Sequence, residues 1–325
     1  MLIWTLPEGD RPDWSLIDEL SAPKETSRVG MAAISQPLCT AIQVAMTDVL
    51  YEIGVVFVAV VGHSSGEIGA AYAAGYLNAR DAIRIAYYRG FHSHLAQGPD
   101  GKRGKMMAVG MNLDKALAFC DEFDSGATLK VAASNSLTSC TLAGDGDAID
   151  EAKRRLDQQN IFARTLAVDT AYHSHHMLPC AAPYLESLRK CDIRPLDDKR
   201  KSVEWYSSVW GANGRSRSFD DGYGVELLKG QYWVDNLNNT VQFSQALIRA
   251  ASEQPYPLDF VLEIGPHPAL KGPSSEVLKS LTGVSVPYSG ILKRAEGAVE
   301  AFADGLGDST FIKTNTRLIY LLKTL

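Results

Sequence analysis

Between Ser35 and Gly54 the apolar positions Leu38, Ile42, Ala45, Met46, Val49, Leu50 and Ile53 recur every three or four residues. That spacing predicts a helix with one buried face. The pattern then becomes an almost unbroken apolar run, IGVVFVAVVG at 53–62, which predicts a strand buried on both sides and is too short to span a bilayer. GEIGAAYAAGYL follows as a helix whose alanines and glycines permit close packing on a sheet. ARDAIRIAYYRGFHSHLA at 79–96 is a further helix, and QGPDGKRGK at 97–105 is an exposed, glycine-rich loop.

From 106 to 172 the elements read strand (MMAVGM), helix (DKALAFCDEF), strand (LKVAASNS), strand (TSCTLAGD), helix (AIDEAKRRLDQQ) and strand (IFARTLAVD). This β-α-β-β-α-β order is the ferredoxin-like arrangement, so a small subdomain is expected inside a larger α/β domain. Beyond it come a helix near MLPCAAPYLESLRK, the charged run DDKRK at 197–201 read as a solvated loop, and a strand in VEWYSSVWG. A helix near YWVDNL and strands in PLDFVLEIGPHPAL and VPYSGILKR complete the pattern. There are no internal repeats.

The 325-residue chain is 46% hydrophobic and 22% charged, within the range of ordinary globular proteins. A net charge of -6 argues against nucleic acid as the main partner, although a local basic patch for phosphates remains compatible. Cys39, Cys120, Cys140, Cys180 and Cys191 are odd in number and scattered, which suits a reduced, cytoplasmic protein. The start, MLIWTLPEGDRPDW, has neither the basic nor the apolar region of a signal peptide.

Gly62-His63-Ser64-Ser65-Gly66 fits the G-x-S-x-G nucleophile elbow. Its glycines allow a sharp strand-to-helix turn that lifts the Ser64 hydroxyl above the sheet, with the Ser65 amide aimed where an oxyanion would form. A serine nucleophile needs a base. AYHSHHM holds three of the seven histidines, His173, His175 and His176, and spacing alone does not choose among them. The alternative is a polar loop; a metal site is not expected, because no carboxylate or thiolate stands at ligand spacing. Arg89, off the apolar face of Ile83, Ala86, Tyr87 and Gly90, reads as a solvated helix arginine. Its functional alternative is bidentate capture of a carboxylate.

SQPLCTAIQ, VVGHSSGEIGAAYAAG, AYYRG, AYHSHHM, YWVDNL and EIGPHPAL, in this order from Trp14 to Leu306, resemble the acyltransferase domain of fungal highly reducing iterative type I polyketide synthases, relatives of malonyl-CoA:acyl carrier protein transacylases. The resemblance implies an α/β-hydrolase-like core with a parallel sheet (1–105 and 173–308), a ferredoxin-like subdomain (106–172) and a divergent tail (309–325). It implies transfer of a malonyl group from coenzyme A to the phosphopantetheine thiol of an acyl carrier protein, with no bound cofactor and no metal. Ser64 would be the nucleophile, His173 the base, Arg89 the holder of the malonyl carboxylate and the Ser65 amide one oxyanion donor. A main-chain carbonyl at Asn236 would orient the histidine, although Thr240 stands where proline is usual. His63, Tyr172, Asn135 and His267 would line the acyl pocket, with Tyr172 part of the TAYH motif at 170–173. Neighbouring synthase domains, on the ketosynthase side, are implied partners; nucleic acid and membrane are not.

Members of this family open with a strand and a Gly-Gln-Gly loop that supplies another oxyanion donor. The 63 residues before Ser64 contain no such motif, so the resemblance implies that one strand of the central sheet is missing and its neighbours' edges are exposed. Three readings therefore stand: an acyltransferase, an inactive remnant or scaffold that contacts a carrier protein, and a serine esterase.

Overall fold

The computed structural model describes residues 6–124, 128–168, 170–196, 203–210, 222–307 and 318–323. Its strands are β1 Ala59–His63, β2 Gly104–Val109, β3 Leu129–Ser134, β4 Cys140–Asp145, β5 Ala163–Thr165, β6 Glu204–Tyr206, β7 Phe260–Ile264, β8 Tyr288–Gly290 and β9 Leu318–Lys323. The helices that frame the site are α1 Leu16–Ser21, α2 Ala32–Glu52, α3 Gly66–Ala73, α4 Ala79–Phe91, α5 Leu113–Asp124, α6 Gly146–Gln158, α7 Leu178–Lys190, α8 Gly222–Leu228, α9 Gln231–Asn238, α10 Phe243–Ser252 and α11 Lys271–Thr282. The DDKRK run lies outside the described residues.

Strands β6-β1-β9-β7-β8 form one sheet whose neighbours all run parallel. The long apolar run contributes only its last residues to β1. Gly54 turns out of α2 at φ 83°, and Val56 is exposed; the segment first meets its neighbours at Val58, which donates to Leu318 O and accepts from Glu204 N, and pairs in register from Ala59. Likewise α4 stops at Phe91 and continues as a 3-10 turn over His92–Leu95.

The sheet has no gap beside β1. The position between β1 and β7 is filled by β9, with Ala59 to His63 paired to Ile319 to Lys323 on one side and Phe260 to Ile264 paired to Leu318 to Leu322 on the other. The expectation of an unfilled central position with exposed flanking edges is therefore corrected. Because successive strand residues face opposite ways, Leu318, Tyr320 and Leu322 enter one core cluster while Ile319 and Leu321 enter the other. All five are at most 1% exposed. Tyr320 stacks on Phe57 with ring centroids 4.0 Å apart and shares a hydrogen bond with Thr47. Burial of a side chain of this size stabilises by roughly 1.5–3 kcal/mol, so β9 is a principal core element.

The subdomain forms as expected. Its antiparallel sheet has the order β3-β4-β2-β5, which, counting from its own first strand, is the 2-3-1-4 order of a ferredoxin-like fold. Leu129, Val131, Leu142, Ile149, Ala152 and Leu156 form its separate core. It meets the main domain where Ser134 N donates to Val241 O and Val241 N donates to Ala132 O. Among the described residues no helix is long and apolar enough to cross a membrane.

Candidate active site

Strand β1 ends in the serine turn, and each of its glycines is required by a close approach. A Cβ on Gly62 would lie 2.4 Å from Glu67 Cα and one on Gly66 would lie 2.0 Å from Leu322 O. Ser64 itself has φ 56°, a left-handed conformation that costs a non-glycine residue roughly 1–3 kcal/mol and gathers at functional sites. Glu67, fully buried, braces the turn: Oε1 accepts from Gly62 N, Ser208 N and Ser208 Oγ, each at 3.1 Å, while Oε2 accepts from the Tyr232 hydroxyl. Burial pushes its carboxyl up to about 7, against these four donors.

Among the histidines, His173 is the one brought to the serine, with Nε2 2.7 Å from Ser64 Oγ. It too has a left-handed backbone, φ 61°. Its Nδ1 donates to Asn239 O at 3.0 Å. The principal orienting carbonyl is thus Asn239, not the expected Asn236. The next residue, Thr240, donates its hydroxyl to Val131 O at 2.6 Å and so ties this segment to β3. Burial first, then the charges of Arg89 and His63, hold the His173 imidazolium well below the usual histidine range, so the ring is a neutral base at physiological pH.

The Asn236 side chain does other work. Its Nδ2 donates to Ser64 O at 2.9 Å and its Oδ1 accepts from Arg89 Nη1 at 2.8 Å. Arg89 Nη2 lies 3.3 Å from Ser64 Oγ, and Nε has no hydrogen-bond partner among the described residues. The solvated arginine expected from the helix pattern is in fact 2% exposed, because α4 is covered along the whole stretch from Asp81 to Gly90. No carboxylate pairs with Arg89 among the described residues, and burial lowers its pKa.

A cavity of about 300 Å³ opens over Ser64. His63, Asn135 and Tyr172, which the resemblance placed at the acyl pocket, line it together with Ser65; His267 does not, and instead accepts from Arg294 N at 3.4 Å. His63 Nε2 pairs with Asn135 Oδ1 at 2.9 Å, and burial carries its pKa down to about 3. Gln36, Arg164 and Lys323 also line the cavity. Gln36 stood inside a quoted motif but carried no chemical signature; its buried Oε1 has no partner among the described residues. Arg164 and Lys323 lie on β5 and β9, where only the fold reveals them.

The other two histidines meet a carboxylate after all. His175 Nε2 and His176 Nε2 both donate to Asp145 Oδ1 at 2.8 Å, and Lys102 Nζ lies 3.4 Å from Oδ2. Asp145 is 30 residues before His175 in sequence, so local spacing could not show it. The network ties the end of β4 to the segment that carries His173.

The sequence profile of the acyl transferase domain family matches residues 9–314. The chain is 68% identical over 304 residues to polyketide synthase 19 of Gibberella fujikuroi, covering 93% of this chain and 12% of that protein. It is 66% identical over 303 residues to the reducing polyketide synthase grgA of a Penicillium species, with the same two coverages. The chain therefore spans about an eighth of the length of these curated relatives. In structure it superposes on the acyltransferase domain from module 8 of the salinomycin polyketide synthase with a TM-score of 0.80 at 27% identity, over 94% of this chain and 66% of that one.

Proposed function

This chain belongs to the acyl transferase domain family, and on that premise we propose that it moves a malonyl group from coenzyme A to the phosphopantetheine thiol of an acyl carrier protein, as one domain of a fungal polyketide synthase. The observation that carries this reading is a serine–histidine pair at 2.7 Å beside a buried arginine that lacks an anionic partner among the described residues. Burying a cation is costly unless an anion joins it. A malonyl group supplies that anion as its free carboxylate, and the planar guanidinium suits it.

Ser64 Oγ attacks the thioester carbonyl as His173 Nε2 takes the hydroxyl proton. The hydrogen bond from Nδ1 to Asn239 O fixes the tautomer that leaves Nε2 free to accept. Charge developing on the carbonyl oxygen is held by the Ser65 amide at the start of α3, where helix amide dipoles converge. The tetrahedral intermediate collapses by breaking the C–S bond, and the coenzyme A thiolate leaves with the proton from His173. In the second half His173 takes the proton of the carrier thiol, the sulfur attacks the Ser64 ester, and the proton returns to Ser64 Oγ.

All five cysteines are buried thiols, which supports a cytosolic setting. The rest of the relatives' length accommodates neighbouring synthase domains, the ketosynthase side among them, as partners. The test is a two-stage one: load the purified chain with malonyl-CoA, then add phosphopantetheinylated carrier protein and follow both by intact mass. The reading predicts a serine ester that persists in water and passes to the carrier. Rapid hydrolysis without transfer would mark an esterase, and carrier binding without any acylation would mark a scaffold.

A further inference from the structure

Strand β9 ends on one charged residue, beside the candidate site. Its residues alternate between the two core faces up to Leu322; the next, Lys323, is the register partner of His63, the residue before Ser64. Parallel strands present ligand-contacting residues at their carboxyl ends, and β1 and β9 end here side by side, about 4.8 Å apart. Lys323 lines the same cavity as Ser64, His173 and Arg89. The profile match ends at residue 314, before this lysine.

No ion pair holds Lys323 among the described residues. The acid behind it, Glu263, is engaged by Ala269 N at 2.9 Å, Leu270 N at 3.0 Å and the Tyr288 hydroxyl, and attracts the ammonium only from beyond pairing distance. Among the described residues the cavity lining contains Arg89, Arg164 and Lys323 and no aspartate or glutamate, in a chain whose net charge is -6. A concentration of cations against the sign of the whole molecule selects an anionic ligand. Arg164 is exposed at the rim, whereas Arg89 and Lys323 reach the neighbourhood of Ser64 from different elements, Arg89 through Asn236 and Lys323 beside His63.

We propose that Lys323 is a specificity-determining residue: together with Arg89 it forms a two-cation cradle that favours an acyl-CoA whose acyl group ends in a free carboxylate over one whose acyl group is neutral. This inference rests on the acyl-transfer reading. It is tested by single-turnover acylation of the wild-type chain, Lys323→Gln and Lys323→Arg with malonyl-CoA and with acetyl-CoA, followed by intact mass, with thermal melts to check the fold. The Gln variant should lose about ten- to a hundredfold of the wild-type preference for malonyl over acetyl, the scale of one charge-assisted hydrogen bond, and the Arg variant should retain it. If the Gln variant unfolds, Lys323→Met keeps the apolar stem in the strand and carries the same comparison. An unchanged preference in the neutral variants, or equal loss in Lys323→Arg, would overturn the inference while leaving acyl transfer standing. A wild-type chain that accepts neither acyl group would overturn the acyl-transfer reading and this inference with it.

Discussion

Adding a single methyl group at Gly66 probes the contact between the serine turn and β9. The Cβ of Gly66→Ala would lie 2.0 Å from Leu322 O, 2.5 Å from Leu322 C and 3.0 Å from Lys323 N, where ordinary contact begins at 3.4 Å. The chain must therefore open by more than an ångström. Neither side yields easily, because Leu322 is backbone in a strand paired on both edges and Gly66 begins a fully buried helix. Moving β9 would loosen Tyr320 and Leu322 from one core face and strain the ladders to β1 and β7. Overpacking of this kind costs typically 1–3 kcal/mol, and each weakened ladder bond adds about 0.5–1.5 kcal/mol. A total of about 3–5 kcal/mol corresponds to a fall in Tm on the order of 10 °C for a domain of this size. Thermal and urea unfolding followed by circular dichroism would measure it. Gly272→Ala, where the added Cβ has nothing within 4 Å, is the control and should leave stability unchanged or slightly raised. A Gly66→Ala chain that melts with the wild type would refute the placement of β9 against the turn.

Three further outcomes are expected. His63, held down to about 3 by burial, refuses a proton that the unfolded chain accepts near 6.5. Its contribution therefore lowers stability as pH falls through 6.5 toward 3, by about 2 kcal/mol at pH 5. His63→Gln should flatten that part of the urea-denaturation profile between pH 7 and 5, and parallel wild-type and variant profiles would contradict it. Asn236→Asp would give Arg89 an internal carboxylate where Oδ1 now accepts at 2.8 Å; malonyl-CoA acylation should fall roughly tenfold or more relative to acetyl-CoA, and an unchanged ratio in intact-mass kinetics would count against the clamp. All five cysteines are buried, with the thiols of Cys120 and Cys140 pushed up to about 12 and that of Cys180 to about 11. The native chain should resist a thiol-reactive disulfide at pH 8 until denaturant is added, and rapid modification would show the opposite.

What the sequence disclosed follows from how local each signal is. The α2 stripe, the G-x-S-x-G turn and the alternation of strands and helices in the subdomain are short-range patterns, and each produced its element. Helical periodicity alone places Arg89 in solvent, because it identifies one apolar face and cannot tell that other elements cover the rest. Asn239 acts through a carbonyl, which every residue possesses, so no side chain announced it. Asp145, at the end of β4, meets His175 and His176 from a turn about thirty residues further along the chain. LIYLLK is a short apolar run that fits a strand buried on both faces, but only its pairing with His63 gives the terminal lysine a destination.

The central claim is that Ser64, activated by His173, forms an ester with the acyl group. The most direct measurement is the intact mass of the wild-type chain and Ser64→Ala after exposure to malonyl-CoA, with peptide mapping of any adduct. A single malonyl adduct is expected on the peptide containing Ser64 and none on the alanine variant. A folded wild-type chain that stays unmodified, or an adduct that survives loss of the serine hydroxyl, would contradict it.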